Sequence, residues 1–296
     1  MALSSDEVRS WNVACPLQRV YLLKSQANAP GSFMNVVDLS SEYEKLYLVC
    51  LEDWSHEVEE QGDRKEQWYN RMKGKGLRVK LAIDDNGVVG GMIQYVPIEL
   101  SNAEGRDLYF VNCIWVHGHK EGRGDFRGRG MGKALLSAAE QDVKDLGRKG
   151  LVTWGISLPF FMRARWFKKQ GYEAIDKNGI SVLLWKPFTQ DVSPPRWIRQ
   201  RKSPKVVPGK VSVTAFVNGW CPAQNMVAER ARRAAAEFKE KVVFTEMDTS
   251  DRGVFLEYGI SDALFIDDKA IRTGPPPSYD RIRKQILKRV NRLRAN

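Results

Sequence analysis

Residues 127–136 read Arg127-Gly128-Arg129-Gly130-Met131-Gly132-Lys133-Ala134-Leu135-Leu136. Three glycines at spacings of two clear side chains from a short turn, so backbone N–H groups can converge on one point. The apolar helix that opens behind them adds unpaired amides and the positive end of its dipole. Such a turn suits an anion, and a pyrophosphate in particular.

Just upstream, residues 108–116 run Leu-Tyr-Phe-Val-Asn-Cys-Ile-Trp-Val. So little polar interruption predicts a buried central strand. Downstream, the periodicity predicts a helix from about 130 to 146 that stops near Gly147 and Gly150. A strand over 151–156, a helix over 159–170 and two closing strands ending at Trp185 follow. Towards the N-terminus, 35–39 reads as a short strand, Ser41 opens a helix running towards Trp54, and 64–72 is a second helix. Strands over 77–83 and 88–96 are joined at Asp84-Asp85-Asn86-Gly87, a hairpin signal.

The 296 residues, 43% hydrophobic and 28% charged, suit a soluble globular protein of about two domains. No apolar run reaches the roughly 18 residues of a membrane span, and residues 1–30 lack the features of a signal peptide. Cys15, Cys50, Cys113 and Cys221 are scattered, which suggests neither a disulfide framework nor a metal site. A cytoplasmic protein with reduced thiols, touching no membrane, is the expectation. The net charge of +11 is concentrated late in the chain. Arg196, Arg199, Arg201, Lys202, Lys205 and Lys210 occur without an acidic neighbour, and the last helix-like stretch holds seven basic residues, Arg281 to Arg294, against Asp280. A nucleic acid partner would use such a face. Apart from Trp197, no aromatic residue is interleaved with these charges, so a solvated helix face is the preferred reading.

Residues 191–209 are basic and proline-rich and cannot continue a helix or central strand. They predict a linker between a domain over 1–190 and another over 210–296.

Strand, then Arg-x-x-Gly-x-Gly, then amphipathic helix, strand, helix and Gln170-Gly171-Tyr172 resembles the GCN5-related N-acetyltransferase (GNAT) superfamily over residues 35–187. The resemblance implies an α/β (α+β) fold: a mixed sheet with splayed central strands, flanked by helices. It implies acetyl-CoA as cofactor, held by Arg127, Gly128, Arg129, Gly130, Met131, Gly132 and Lys133 through its pyrophosphate. The pantetheine arm would lie along the strand at Ile114, Trp115 and Val116. The implied activity is direct transfer of an acetyl group to an amine of a small-molecule or peptide acceptor. Many relatives place a tyrosine four residues before the second motif's glycine as the acid for the departing thiolate. Here that position is Phe167, a cofactor-side residue without a hydroxyl.

The loop before the glycine turn is longer than is usual in the family and carries His117, His119 and Glu121. One of these is the candidate general base, unless the loop is a solvated flap with His117 capping the strand end. The acidic segment 52–60 could hold a cationic acceptor or be a solvated face.

Residues 210–296 alternate as a strand over 211–217 and then turn through Trp220-Cys221-Pro222-Ala223-Gln224 into an alanine-rich helix to about 239. A strand, a helix, a lone strand near 264–266 and a final helix follow. This looks like a thioredoxin-like domain, and the joined arrangement resembles YoaP-like acetyltransferases. Cys221 would sit at a helix N-terminus, where the dipole favours a reactive thiolate. Gln224 replaces the second cysteine, and no proline precedes the third strand. A binding or dimerising module, with the homodimer as one possibility, is therefore favoured over a reductase. A non-catalytic CoA- or metabolite-binding regulator and a thiol enzyme using Cys221 are the competing functions.

Overall fold

The nearly unbroken apolar stretch at 108–116 forms the centre of a sheet in the computed structural model, which is described over residues 21–23, 34–158, 161–271 and 276–293. Cys15 lies outside the described residues. The N-terminal elements are β1 (Tyr21–Leu23), β2 (Met34–Asp38), α1 (Glu44–Leu48), α2 (Arg64–Met72), β3 (Arg78–Ile83), β4 (Val89–Pro97), β5 (Ala103–Glu104) and β6 (Leu108–Val116). There follow α3 (Met131–Asp145), β7 (Gly150–Ile156), α4 (Ala164–Lys169), β8 (Glu173–Asn178) and β9 (Ser181–Pro187). The strands form one mixed sheet in the order β1-β2-β3-β4-β6-β7-β9-β8. Of its ladders, β6–β7 is parallel and the rest are antiparallel.

Helices cover both faces of this sheet. Leu135, Leu136, Ala139 and Val143 of α3 pack on Ile93, Tyr95 and Val111, while Tyr47, Trp68 and Met72 of α1 and α2 pack on Leu81, Met92 and Val96. An ionic cluster under α3 fastens that helix. Asp142 accepts from Arg78 at 2.9 and 2.5 Å and from the Tyr95 hydroxyl at 2.7 Å, and the fully buried Lys80 lies 3.6 Å away. Burial opposes the Asp142 charge, but the bonds from Arg78 and Tyr95 outweigh it and hold the carboxyl below its ordinary range.

The helix expected from Ser41 towards Trp54 is much shorter. A 3-10 turn over Ser41–Tyr43 leads into α1, which ends at Leu48. Cys50 and Leu51 then take φ of 52° and 66°. The Leu51 N–H closes back on Leu46 O and the Cys50 N–H on Tyr47 O, the pairing of a Schellman cap. Full burial of Leu51 and the bond from Lys65 Nζ to Cys50 Sγ (2.8 Å) favour this reversal despite its backbone cost.

The chain then forms β10 (Arg196–Trp197), β11 (Val211–Val217), α5 (Pro222–Ala236), β12 (Val242–Asp248), α6 (Arg252–Tyr258), β13 (Ala263–Ile266), β14 (Lys269–Ile271) and α7 (Tyr279–Leu293). The second sheet runs β12-β11-β13-β14, with β11 parallel to β12 and β13 antiparallel to both β11 and β14. The strand expected to stand alone near 264–266 therefore has a partner. Its turn uses Asp267 at φ 55° rather than a glycine, and β14 has only three residues, so the hairpin left little trace in the sequence. The apolar face of α7, made by Ile282, Ile286 and Val290, is buried with α5. Its Arg281, Lys284, Lys288 and Arg292 are exposed and carry no ion pair among the described residues.

The basic stretch 191–209 is strapped down rather than free. β10 pairs with β5, and Arg196 bonds Glu104 at 2.7 Å. Arg199 bonds Asp176 at 2.6 Å, Lys202 pairs with Glu257, and the Arg201 N–H donates to Tyr258 O at 2.7 Å. Gly259 passes so close that a Cβ there would stand 1.9 Å from Arg199 O.

Glu57 and Glu60 of the acidic segment, read as either an acceptor wall or a solvated face, dock the C-terminal domain. Glu60 accepts from Arg230 at 2.9 and 3.2 Å and pairs with Arg233, and Glu57 lies 3.7 Å from Arg230. Arg64 bonds Glu246 at 3.1 and 2.9 Å, and Arg71 bonds Asp248 at 2.7 Å. The bond from Arg230 is the main reason the Glu60 carboxyl lies below its usual value, and at Asp248 burial opposes the charge but the bonds from Arg71 and Ser250 outweigh it. Carboxyls depressed in this way stabilise docking above their unfolded pKa, about 4, and lose that contribution as pH falls through the folded value. Acidification below about pH 4 should therefore loosen the two domains before either unfolds. Small-angle scattering should show a rise in radius of gyration with far-ultraviolet circular dichroism unchanged; simultaneous loss of both would refute this.

Candidate functional site

The β6–β7 ladder begins at Leu108 opposite Gly150 and stops at Val111 opposite Thr153. On its other edge β6 carries one extra residue, Asn112, between the pairs Tyr95–Val111 and Gln94–Cys113. A bulge bends a strand and increases its twist, and here it marks the point where β6 and β7 part. Trp154 Nε1 bridges the start of the gap by donating to Asn112 O at 2.8 Å. Beyond it, the His117 N–H donates to Gly90 O (2.9 Å), so Trp115, two residues back, faces β4 as well. The backbone of Ile114 and Val116 is thereby turned into the gap.

The glycine turn stands at the open end of this gap. Gly128 and Gly130 have φ of 77° and 88°, in the left-handed region that favours glycine. A Cβ on either would meet no atom within 4 Å, so their missing side chains leave open space. Gly130 caps α3 without a side-chain bond, and the first backbone bond of the helix runs from Ala134 N–H to Gly130 O. The N–H groups of Met131, Gly132 and Lys133 precede it and remain available to an anion. Arg129 and Lys133 are exposed with no ion pair among the described residues, whereas Arg127 is held by Asp125 at 2.9 and 2.6 Å. That bond keeps the Asp125 carboxyl low.

The loop over 117–126 is folded back on the structure. The Phe126 ring occupies the space over Gly90, where a Cβ would lie 2.5 Å from Phe126 Cγ. Phe126 N–H donates to His117 O at 2.9 Å, and Arg123 bonds both Asp53 oxygens at 2.9 Å. His117 is fully buried. Its Nε2 accepts from Trp54 Nε1 at 3.0 Å, which places the proton on Nδ1, 2.7 Å from Gly124 O. Both ring nitrogens are thus committed, and His117 holds the loop. His119 is exposed and touches the rings of Trp54, Trp115 and His117, with no hydrogen bond among the described residues. Glu121 is exposed beside it in sequence.

Phe167 lies in the core, fully buried against Tyr172, and offers no surface to the gap. Its neighbour Trp166 takes that place, standing about 3.4 Å from where a Gly132 Cβ would be and contacting the same space as Val116. The sequence signal was available, since α4 carries two adjacent aromatics, but the choice between them depended on the rotation of a helix only six residues long. Tyr172 is no substitute acid, because its hydroxyl is buried in the core.

Residues 39–172 match the model of the acetyltransferase (GNAT) family. Over this region the fold is that of the GNAT acetyltransferases. Among solved structures, a GNAT-family acetyltransferase from Staphylococcus aureus Mu50 is 16% identical with a TM-score of 0.40, covering 53% of this chain and 99% of its own. A GNAT protein of Desulfovibrio desulfuricans is 18% identical with a TM-score of 0.41, covering 53% and 99%. The Escherichia coli protein YhbS, solved in complex with CoA, is 13% identical with a TM-score of 0.39, covering 62% and 92%. No curated protein matches the chain.

Outside the GNAT region, Cys221 occupies the N-cap of α5 with Pro222 as the first helical residue. The helix end was expected to lower its thiol pKa. Burial dominates instead and, with the Cys50 sulfur near by, pushes it up to about 12. Cys50, Cys113 and Cys221 are free thiols. Among the described residues no cluster of His, Cys, Asp or Glu is placed to hold a metal, and no helix is long and apolar enough to cross a membrane.

Proposed function

We propose that the chain is an acetyl-CoA-dependent N-acetyltransferase in which an amine attacks the bound thioester directly. The observation that carries this reading is the open glycine cradle at the N-terminus of α3, set at the mouth of the gap between β6 and β7. Gly128, Gly130 and the first amides of α3 fit a pyrophosphate, with Arg129 and Lys133 adding positive charge. Arg127 joins them by exchanging Asp125 for phosphate, at little cost for so exposed an ion pair. The backbone of Ile114 and Val116 suits an amide-bearing arm, and Trp166 closes the side of the slot. Acetyl-CoA, when bound, supplies an activated acyl carbonyl.

The acceptor arrives as an ammonium and must lose a proton before it can attack. His119 is our assignment for the base, directly or through water, with Glu121 as the neighbouring carboxylate and His117 as the positioning residue that fixes the loop. Phe167, buried in the core, supplies no hydroxyl to the departing sulfur. The C-terminal domain is read as thioredoxin-like, in a YoaP-like arrangement, on the strength of its strand order and of the helix that follows Cys221. With Gln224 in place of a second cysteine and a Cys221 thiol pushed far above neutral pH, its role is docking rather than dithiol chemistry.

The test is release of free CoA thiol from acetyl-CoA in the presence of an amine panel. Amine-dependent release is expected, and His119→Gln should lower kcat by roughly a hundredfold with the KM for acetyl-CoA unchanged. Loss of activity in Cys221→Ser with CoA binding intact would favour the thiol enzyme. CoA binding without turnover of any amine would favour the regulator.

A further inference from the structure

We infer that the acceptor is a primary amine on an uncharged aromatic body, seated on an arc of rings at the open end of β6. This deepens the acetyltransferase reading and rests on it. The arc runs from Trp54 to His119 (5.7 Å between centroids), to Trp115 (6.4 Å), to Phe161 (5.9 Å) and to Trp154 (6.1 Å). Its members come from the segment after α1, the 117–126 loop, β6, the segment after β7 and β7 itself, so only the tertiary fold assembles it. It begins where β6 leaves β7, on the strand whose backbone faces the proposed acyl slot.

Three properties say what it takes. First, the rings are not hidden: Trp54 and Phe161 are each 38% exposed. Leu158 and Ile180, also exposed, flank the same end of the sheet, tied by the Ser157 N–H to Ile180 O. Such concentration of apolar surface marks a binding face.

Second, the Trp115 indole nitrogen is buried without a hydrogen-bond partner, whereas that of Trp154 is satisfied by Asn112 O. A buried donor left unmet by the protein is free to meet a water or an acceptor atom of a ligand seated on the arc.

Third, the carboxylates near the arc are engaged. Asp53 is bonded to Arg123, Asp125 to Arg127, Glu57 and Glu60 to arginines of α5, and Glu59 lies 3.6 Å from His56. Of the acidic residues in 52–60 and 117–126, Glu52 and Glu121 alone have no ion pair among the described residues. With most of these carboxylates paired, a polycation would find few free counter-charges here. Aromatic faces instead hold one ammonium by cation–π attraction and a flat ring by stacking.

The experiment compares kcat/KM of the full chain for 2-phenylethylamine, hexylamine and spermidine at saturating acetyl-CoA. 2-Phenylethylamine should exceed both others by roughly tenfold or more. Phe161→Ala should raise its KM roughly tenfold, Phe161→Tyr should restore it, and the KM for acetyl-CoA should not move. Preference for hexylamine or spermidine, or an equal loss for all three in Phe161→Ala, overturns the inference. If no amine is acetylated, calorimetry with 2-phenylethylamine decides. Binding that depends on Phe161 keeps the aromatic seat while the acetyltransferase reading fails, and absence of binding removes the seat as well.

Discussion

Gly130→Asp is expected to abolish CoA binding while leaving the protein folded. Gly130 sits at φ 88°, and a Cβ placed on it would have nothing within 4 Å, so a short side chain meets no clash. Asparagine and aspartate are the residues other than glycine that tolerate left-handed backbone best. The two differ in charge. Next to the amides of α3, an aspartate is favoured by the helix dipole by about 0.3–1 kcal/mol. The same carboxylate would stand within a few ångströms of the bound pyrophosphate, and like charges about 4 Å apart at an effective dielectric near 20 repel by about 4 kcal/mol. That is roughly a thousandfold in affinity. Gly130→Asn should therefore weaken CoA binding only several-fold, whereas Gly130→Asp loses it at a Tm equal to or above that of the asparagine variant. Titration calorimetry together with thermal melting separates the two effects. Equal affinity of the two variants would mean that the cradle does not hold the diphosphate.

The largest loss of stability should come from Asp142→Ala. The substitution leaves the half-buried Arg78 guanidinium without its carboxylate, strips the Tyr95 hydroxyl of its acceptor and removes one of the negative charges near the buried Lys80. Breaking one side of a buried ion pair costs about 3–5 kcal/mol, because the remaining charge is still desolvated. For a unit of this size that amounts to about 10 °C in Tm, at about 2–4 °C per kcal/mol. Asp142→Asn, which keeps a hydrogen-bond acceptor, should lose less. A melting shift below about 2 °C for the alanine variant would show that water replaces the carboxylate and that the cluster is not a fastening for α3.

Local signals carried much of the architecture. The Asp84–Gly87 hairpin, the apolar run of β6 and the amphipathic pattern of α3 are short-range features that depend on neighbours in sequence, and the structure places those elements within one or two residues of expectation. The second helix, over Arg64–Met72, is also where its periodicity placed it. Elements whose boundaries depend on distant partners were less legible. α1 stops early because Leu51 is buried and Lys65 reaches Cys50. β14 exists because β13 offers it an edge, and β10 because β5 does.

The site divides in the same way. The glycine turn of 127–132 was readable in the sequence, since a left-handed turn with no Cβ in front of a helix is a property of glycine itself. Residue roles that depend on which way a side chain turns were not. His117, one of three candidate bases, proves to be buried with both nitrogens engaged, while Trp166 rather than Phe167 stands beside the turn. In the acidic segment 52–60, read as an acceptor wall or a solvated face, Glu57 and Glu60 bind the arginines of α5. Cys221 sits at a helix N-terminus as expected, yet burial reverses the direction of its pKa. By itself the sequence determined the open glycine turn before α3, because backbone conformation and missing side chains are local. Tertiary structure alone decided which charges stay free, which rings meet and which thiol is desolvated, because each is a contact between segments far apart in the chain.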